Sequence, residues 1–177
     1  MIVVSDGSAD PDFGLEGLGN AISRIRVDLA VPIDIKRIFM LPRDQDEDKR
    51  GYGEINKRFE EKYCAIGTIR YSRVDRTGVK DKDEDYDGFL VYIKAFLSGT
   101  ESVDVYNYAR THLSFPHEST ADQMYSESQF ESYRELGSHM IDMICAGMQS
   151  APPHDLPYFF DFVRAAFTPI GMGRCKC

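Results

Sequence analysis

The strongest constraint on the fold is the order of three patterns within the first 35 residues. Ile2-Val3-Val4 is a short, continuous apolar run that stops at Ser5-Asp6-Gly7, the pattern of a buried strand that delivers a polar turn at its carboxyl end. From there the apolar positions fall at Leu15, Leu18, Ile22, Ile25 and Leu29, with Arg24, Arg26 and Asp28 flanking them. That spacing puts one oily stripe on a helix. Pro32 ends the helix, and Pro32-Ile33-Asp34-Ile35 reads as a second strand. Strand, helix and strand in this order predict a βαβ unit of a parallel sheet, and an α/β class with it.

The rest of the chain fills out that class. Residues 41–61 are polar and doubly charged around Gly51-Tyr52-Gly53, which predicts an irregular excursion. Residues 64–72 and 88–95 then alternate or run apolar, so two neighbouring strands are expected, joined by the long charged stretch 73–87. The last third is helical in pattern. Residues 102–110 predict a short helix that breaks at 112–116. Ser126 followed by Gln129 has capping-box spacing, in which a hydroxyl accepts an orphan amide proton and the amide side chain returns the bond. A long helix should start there, with Phe130, Tyr133, Leu136, Met140, Ile141 and Ile144 as its apolar face, and stop near Gly147. Ala151-Pro152-Pro153 looks like a linker, residues 157–167 like one more short aromatic-rich helix, and 171–177 like a frayed end. One α/β unit over 1–148 and an aromatic-rich tail over 149–177 are expected.

Charge narrows the partners. A formal net charge of -8 over 177 residues repels phosphate, and the basic residues Lys49, Arg50, Lys57 and Arg58 are interleaved with Asp44, Asp46, Glu47, Asp48 and Glu54. Nucleic acid is therefore not expected as a partner. No apolar run approaches the ~20 residues that cross a bilayer, and no basic segment followed by an apolar one opens the sequence. With Cys64, Cys145, Cys175 and Cys177 scattered, reduced thiols and a cytoplasmic location are the expectation.

Three groups of residues are candidates for chemistry. Asp6, Asp10 and Asp12 lie at a strand end, where α/β sheets gather binding groups, and three carboxylates there suit either a divalent cation or a turn that bonds backbone amides and caps the next helix. The turn is the expected reading. His112, His117, His139 and His154 include no pair four residues apart, which argues against a metal site. His117, between Pro116 and Glu118-Ser119-Thr120, is expected to pack or bond backbone in a helix-entry turn. No Gly-x-Ser-x-Gly elbow and no phosphate-cradling glycine loop occurs; Gly7-Ser8-Ala9 and Gly137-Ser138-His139 are the nearest approaches. No catalytic, cofactor-binding or metal-binding residue is therefore assigned.

Three ordered blocks carry a resemblance. The first is Ile2-Val3-Val4-Ser5-Asp6-Gly7-Ser8-Ala9-Asp10-Pro11-Asp12-Phe13 with Leu18-Gly19-Asn20-Ala21-Ile22 and Arg24-Ile25-Arg26-Val27-Asp28. Next come Tyr63-Cys64-Ala65-Ile66-Gly67 and Gly88-Phe89-Leu90-Val91-Tyr92-Ile93-Lys94. Last is Phe115-Pro116-His117-Glu118-Ser119-Thr120-Ala121-Asp122-Gln123 with Gln129-Phe130-Glu131-Ser132-Tyr133-Arg134. Together, over roughly residues 1–140, they resemble the C-terminal part of large bacterial patatin-like phospholipases. The resemblance implies a three-layer α/β/α fold, a mixed sheet and a Ser-Asp dyad with a glycine-rich oxyanion loop. It also implies that the serine elbow, the oxyanion glycines and the Asp-Gly-Gly aspartate precede the matched region, so neither Asp6 nor Asp87 inherits the dyad. The expectation is a portion inactive alone, whose partner is the N-terminal catalytic portion or a second copy, with a lipid or ester substrate only in the complete protein. The alternative expectation is a non-catalytic interaction module of α/β type.

Overall fold

A computed structural model describes residues 1–35, 64–74, 86–146 and 156–167. The expectations for 41–61, most of 73–87, Gly147, the linker at 151–153, the boundary at 148, His154 and the 171–177 tail lie outside the described residues, as do Tyr63, Cys175 and Cys177.

The protein is a mixed α/β structure, and its described residues form a four-stranded sheet in the order β1-β4-β3-β2. Its elements are β1 (Ile2–Asp6), α1 (Glu16–Leu29), β2 (Ile33–Ile35), β3 (Ala65–Ile69), β4 (Gly88–Lys94), α2 (Val103–Thr111), α3 (Glu127–Cys145) and α4 (Leu156–Phe167). β1 runs parallel to β4, whereas β4 with β3 and β3 with β2 are antiparallel. The two strands expected to be neighbours, β3 and β4, are neighbours. β1 and β2 point the same way, as a βαβ unit requires, but β4 and β3 lie between them. The reason is in the side chains. β4 is seven residues of nearly unbroken apolar sequence and suits the centre, whereas β2 has three residues and an exposed Asp34, which suit an edge.

Side chains alternate across the sheet, so Leu90 and its neighbour Val91 face opposite sides. Leu90 joins Ile33, Ile69 and Val31 in a small cluster covered by Ile22 and Ile25 of α1. Val91 joins a larger cluster with Val105 and Ala109 of α2, Leu136, Met140 and Ile144 of α3, and Val163 of α4. α1 itself buries no residue completely, and Leu29, expected on its buried stripe, is exposed one turn beyond the contact.

Two side-chain devices fix the connections. Arg70 bonds Asp34 and Asp87 at 2.9 Å each, and Asp87 accepts the Ser72 amide at 3.1 Å, which ties β2 to both ends of the β3–β4 connection. Gly88 opens β4 under the Tyr71 ring, whose Cε2 would lie 2.7 Å from an added Cβ. After β4, the buried Glu101 carboxylate accepts from the Ser98 amide, the Ser98 hydroxyl at 2.8 Å and the Gly99 amide at 2.9 Å. Gly99 stands there at φ 85, a conformation that favours glycine.

α3 begins as predicted, with the Ser126 hydroxyl accepting from the Gln129 amide at 3.2 Å. The return bond, from the Ser126 amide to Gln129 Oε1, does not form: the Gln129 side chain is turned to Glu118, where its Nε2 donates to Oε2 at 2.7 Å. The buried row is also rotated from the expected one: Gln129, Ser132, Leu136, Met140 and Ile144 face inward, while Phe130 and Ile141 face out. Two polar residues tolerate this burial because each is answered, Gln129 by Glu118 and the Ser132 hydroxyl by the Ser128 carbonyl at 2.8 Å.

The two isoleucines of α3 give a direct check. Ile144 is 1% exposed and Ile141 45%. In urea unfolding, Ile144→Ala is expected to cost about 2–5 kcal/mol, and Ile141→Ala to stay within about 0.5 kcal/mol of the parent.

Candidate functional site

β1 and β4 end level with one another, and the register sets Asp6 opposite Lys94. Ile2, Val4 and Asp6 therefore share one face of the sheet with Leu90, Tyr92 and Lys94. Carboxyl ends of parallel strands are where α/β sheets place binding groups. Here that position holds a lysine of which only 1% is exposed.

A lysine buried this deeply has one positive charge and three donor protons to satisfy. Lys94 Nζ lies 3.2 Å from Asp6 Oδ2, 3.1 Å from the Ser8 carbonyl and 3.2 Å from Ser8 Oγ, with Asp10 Oδ2 at 3.8 Å. Asp6 is equally occupied. Its Oδ1 accepts from the Ser8 amide at 2.8 Å and the Ser8 hydroxyl at 2.6 Å, and its Oδ2 from the Tyr92 hydroxyl and Lys94. Burial works against the ionised carboxylate, yet the bonds from Ser8, Tyr92 and Lys94 outweigh it and hold Asp6 well below the usual carboxylate range. Burial and then the Asp6 carboxylate push the Tyr92 hydroxyl in the opposite direction, up.

Asp10 belongs to the same cluster and shapes the entry to α1. Its two oxygens accept from the Gly14 amide at 2.8 Å and the Leu15 amide at 2.9 Å. Between these bonds the backbone takes positive φ at Phe13 (48°) and Leu15 (52°), conformations unusual for residues with a side chain. Asp12 is exposed, outside the cluster.

His117 closes the cluster from the segment between α2 and α3. Its ring meets the Phe13 ring edge-on at 4.8 Å and is 8% exposed. Neither ring nitrogen has a hydrogen-bond partner. Burial, then the Lys94 charge, lowers its proton affinity, only partly offset by the Ser8 backbone, Asp10 and Asp6. Glu118, the next residue, turns away. It accepts from Gln129 at 2.7 Å and from the Tyr108 hydroxyl at 3.4 Å, and its amide donates to the Tyr133 hydroxyl at 3.3 Å.

The remaining candidates stand elsewhere. His112 stacks on Tyr108 at 3.8 Å, and His139 Nε2 bonds the Thr100 hydroxyl at 2.9 Å. Cys64 is buried in the core; burial pushes the Cys145 thiol up. Gly137-Ser138-His139 lies within α3. Among the described residues no three ligating side chains are grouped to hold a metal ion, and at Asp6 and Asp10 the Lys94 ammonium is already the counter-cation.

The chemistry this arrangement supports is fixation of charge. A carboxylate that takes four donors is a weak base, so Asp6 is not poised to activate the Ser8 hydroxyl bonded to it. Sequence reasoning had found Asp6, Asp10 and His117 but not Lys94 or Tyr92. The signal was present, because a lysine closing the apolar run Phe89-Leu90-Val91-Tyr92-Ile93 is buried only if an acid waits beside it. Compared with known proteins, the chain matches no family model, no curated protein and no solved structure.

Asp6→Asn removes the main counter-charge of Lys94 and is expected to destabilise the protein by about 3 kcal/mol at pH 7. Because the folded state lowers the proton affinity of Asp6 from its ordinary value of 3.8, its contribution is fully present above that pH and is lost as pH falls below it. The gap between parent and variant in denaturant unfolding should therefore narrow from pH 4 downward.

Proposed function

We propose that this chain is the C-terminal portion of a patatin-like lipid acyl hydrolase, supplying sheet and helices beside the catalytic centre but not the nucleophile. The observation that supports this reading is the state of β1. Parallel strands normally have both faces covered and neighbours on both sides. Ile2, Val3 and Val4 are exposed by 46, 47 and 37%, on both faces of the strand, and among the described residues β1 pairs with β4 alone. A strand laid along its free edge extends the sheet and covers these side chains. In this reading that strand belongs to the N-terminal catalytic portion or, for the chain by itself, to a second copy. The three ordered sequence blocks support the same parentage. The substrate, a lipid or other ester, belongs to the complete protein. The location is cytoplasmic, in keeping with the absence, among the described residues, of any helix long and apolar enough to cross a membrane.

One observation favours a second reading, a non-catalytic interaction module. The cluster at the strand ends is self-satisfied, with Asp6 and Lys94 spending their hydrogen bonds on each other, Ser8 and Tyr92.

The two readings separate in solution. The acyl-hydrolase portion should show no turnover of short-chain p-nitrophenyl esters, and should self-associate or bind an N-terminal fragment carrying a Gly-x-Ser-x-Gly elbow in sedimentation experiments. A monomer that unfolds in one cooperative step supports the module. Ester turnover abolished by a single serine-to-alanine change in this chain contradicts the proposal.

A further inference from the structure

We propose that His117 is an acid-operated latch: its protonation expels the imidazole from the carboxyl ends of β1 and β4 and opens the buried Lys94–Asp6 pair to water. The inference rests on what surrounds the ring. It is 8% exposed, and both nitrogens are sealed from solvent without a partner. A buried neutral imidazole tolerates that; an imidazolium, with two donors and a charge, needs acceptors.

None is open. From β4, the Lys94 ammonium repels a second cation, and the Tyr92 hydroxyl is committed to Asp6. From β1 and the turn after it, Asp6 attracts the charged ring but already takes four donors, and the Ser8 carbonyl, which also favours the charged ring, already accepts from Lys94 Nζ at 3.1 Å. From the β1–α1 connection, Asp10 attracts the charged ring, but its oxygens are turned to the Gly14 and Leu15 amides and bond neither ring nitrogen, and Phe13 offers a ring edge. On its own segment, Glu118 points to Gln129 and Tyr108, and the Tyr133 hydroxyl of α3 is engaged by the Glu118 amide.

The movement required is small. The Phe115 side chain stays anchored, buried between Tyr108 and Tyr133 at centroid distances of 5.2 and 4.8 Å. Beyond it, the His117 amide bonds only the nearby Ser114 carbonyl, at 2.6 Å, so the ring can leave without dismantling the core. The sign follows from the site. Burial and Lys94 favour the neutral ring, so the closed state is fully favoured above the ordinary histidine value of 6.5 and weakens as pH falls below it. The opening constant then rises by up to about tenfold per pH unit until the closed-state value is reached. The latch is a property of this chain and stands whichever reading of the whole protein holds.

The test is an NMR titration of the chain between pH 8 and 4.5, following the His117 ring nitrogens, with amide exchange at His117 and Glu118 corrected for intrinsic rate. The expected result is a His117 midpoint below 6.5 and protection that falls by up to about tenfold per pH unit beneath that value. In His117→Gln, neutral throughout, the protection should be flat. The ring titration needs no variant and decides the matter if His117→Gln does not fold. A midpoint at or above 6.5 with protection unchanged, or the same slope in His117→Gln, overturns the latch.

Discussion

An ammonium group with almost no access to water must have its charge and its three protons answered by neighbours, and the surroundings of Lys94 show how far that requirement reaches. Asp6 and Asp10 supply the charge; Ser8 supplies a carbonyl and a hydroxyl. These groups lie on the last residue of β1 and in the turn after it. The lysine thus fixes the end of β1 against β4, the shape of the turn, and through Asp10 the point at which α1 begins. The partners are also mutually bonded. Such a network is expensive to build incompletely, since each buried group left without a partner carries its own desolvation cost.

The opposite edge of the sheet is managed without deep burial. β2 is short, presents Asp34 outward, and is held by Arg70. Short strands and charged residues are common ways of blunting an edge. β1 has neither device: its first residues are apolar and exposed on both faces, although its last residue is tightly bonded. One end of the strand is thus fixed, and among the described residues nothing pairs along its outer side. That asymmetry is what the added strand proposed above would relieve.

Much of the fold was legible because it depends on local patterns. The stripe at Leu18, Ile22 and Ile25, the apolar run of β4 and the Ser126 cap each carry their meaning within a few residues, and each appears where expected. What was not legible depends on partners distant in sequence. Nothing near Ile33 says that β4 and β3 come between β1 and β2. Gln129 reaches Glu118 instead of Ser126 because a loop eleven residues earlier folds back over the start of α3. That contact accompanies the rotation that leaves Phe130 outside and Ser132 inside. At the site, Asp6 and Asp10 were visible as a turn, but their counter-charge is 88 residues from Asp6. A strand-closing lysine hinted that an acid was needed without saying which.

If the Lys94–Asp6 contact is what holds β1 to the sheet, removing the ammonium should loosen that strand alone. Residue-resolved hydrogen exchange on Lys94→Met at pH 7 tests this directly. The expected result is loss of protection at the β1 amides with β3 and β4 still protected as in the parent. Unchanged protection in β1, or equal loss across all three strands, would contradict it.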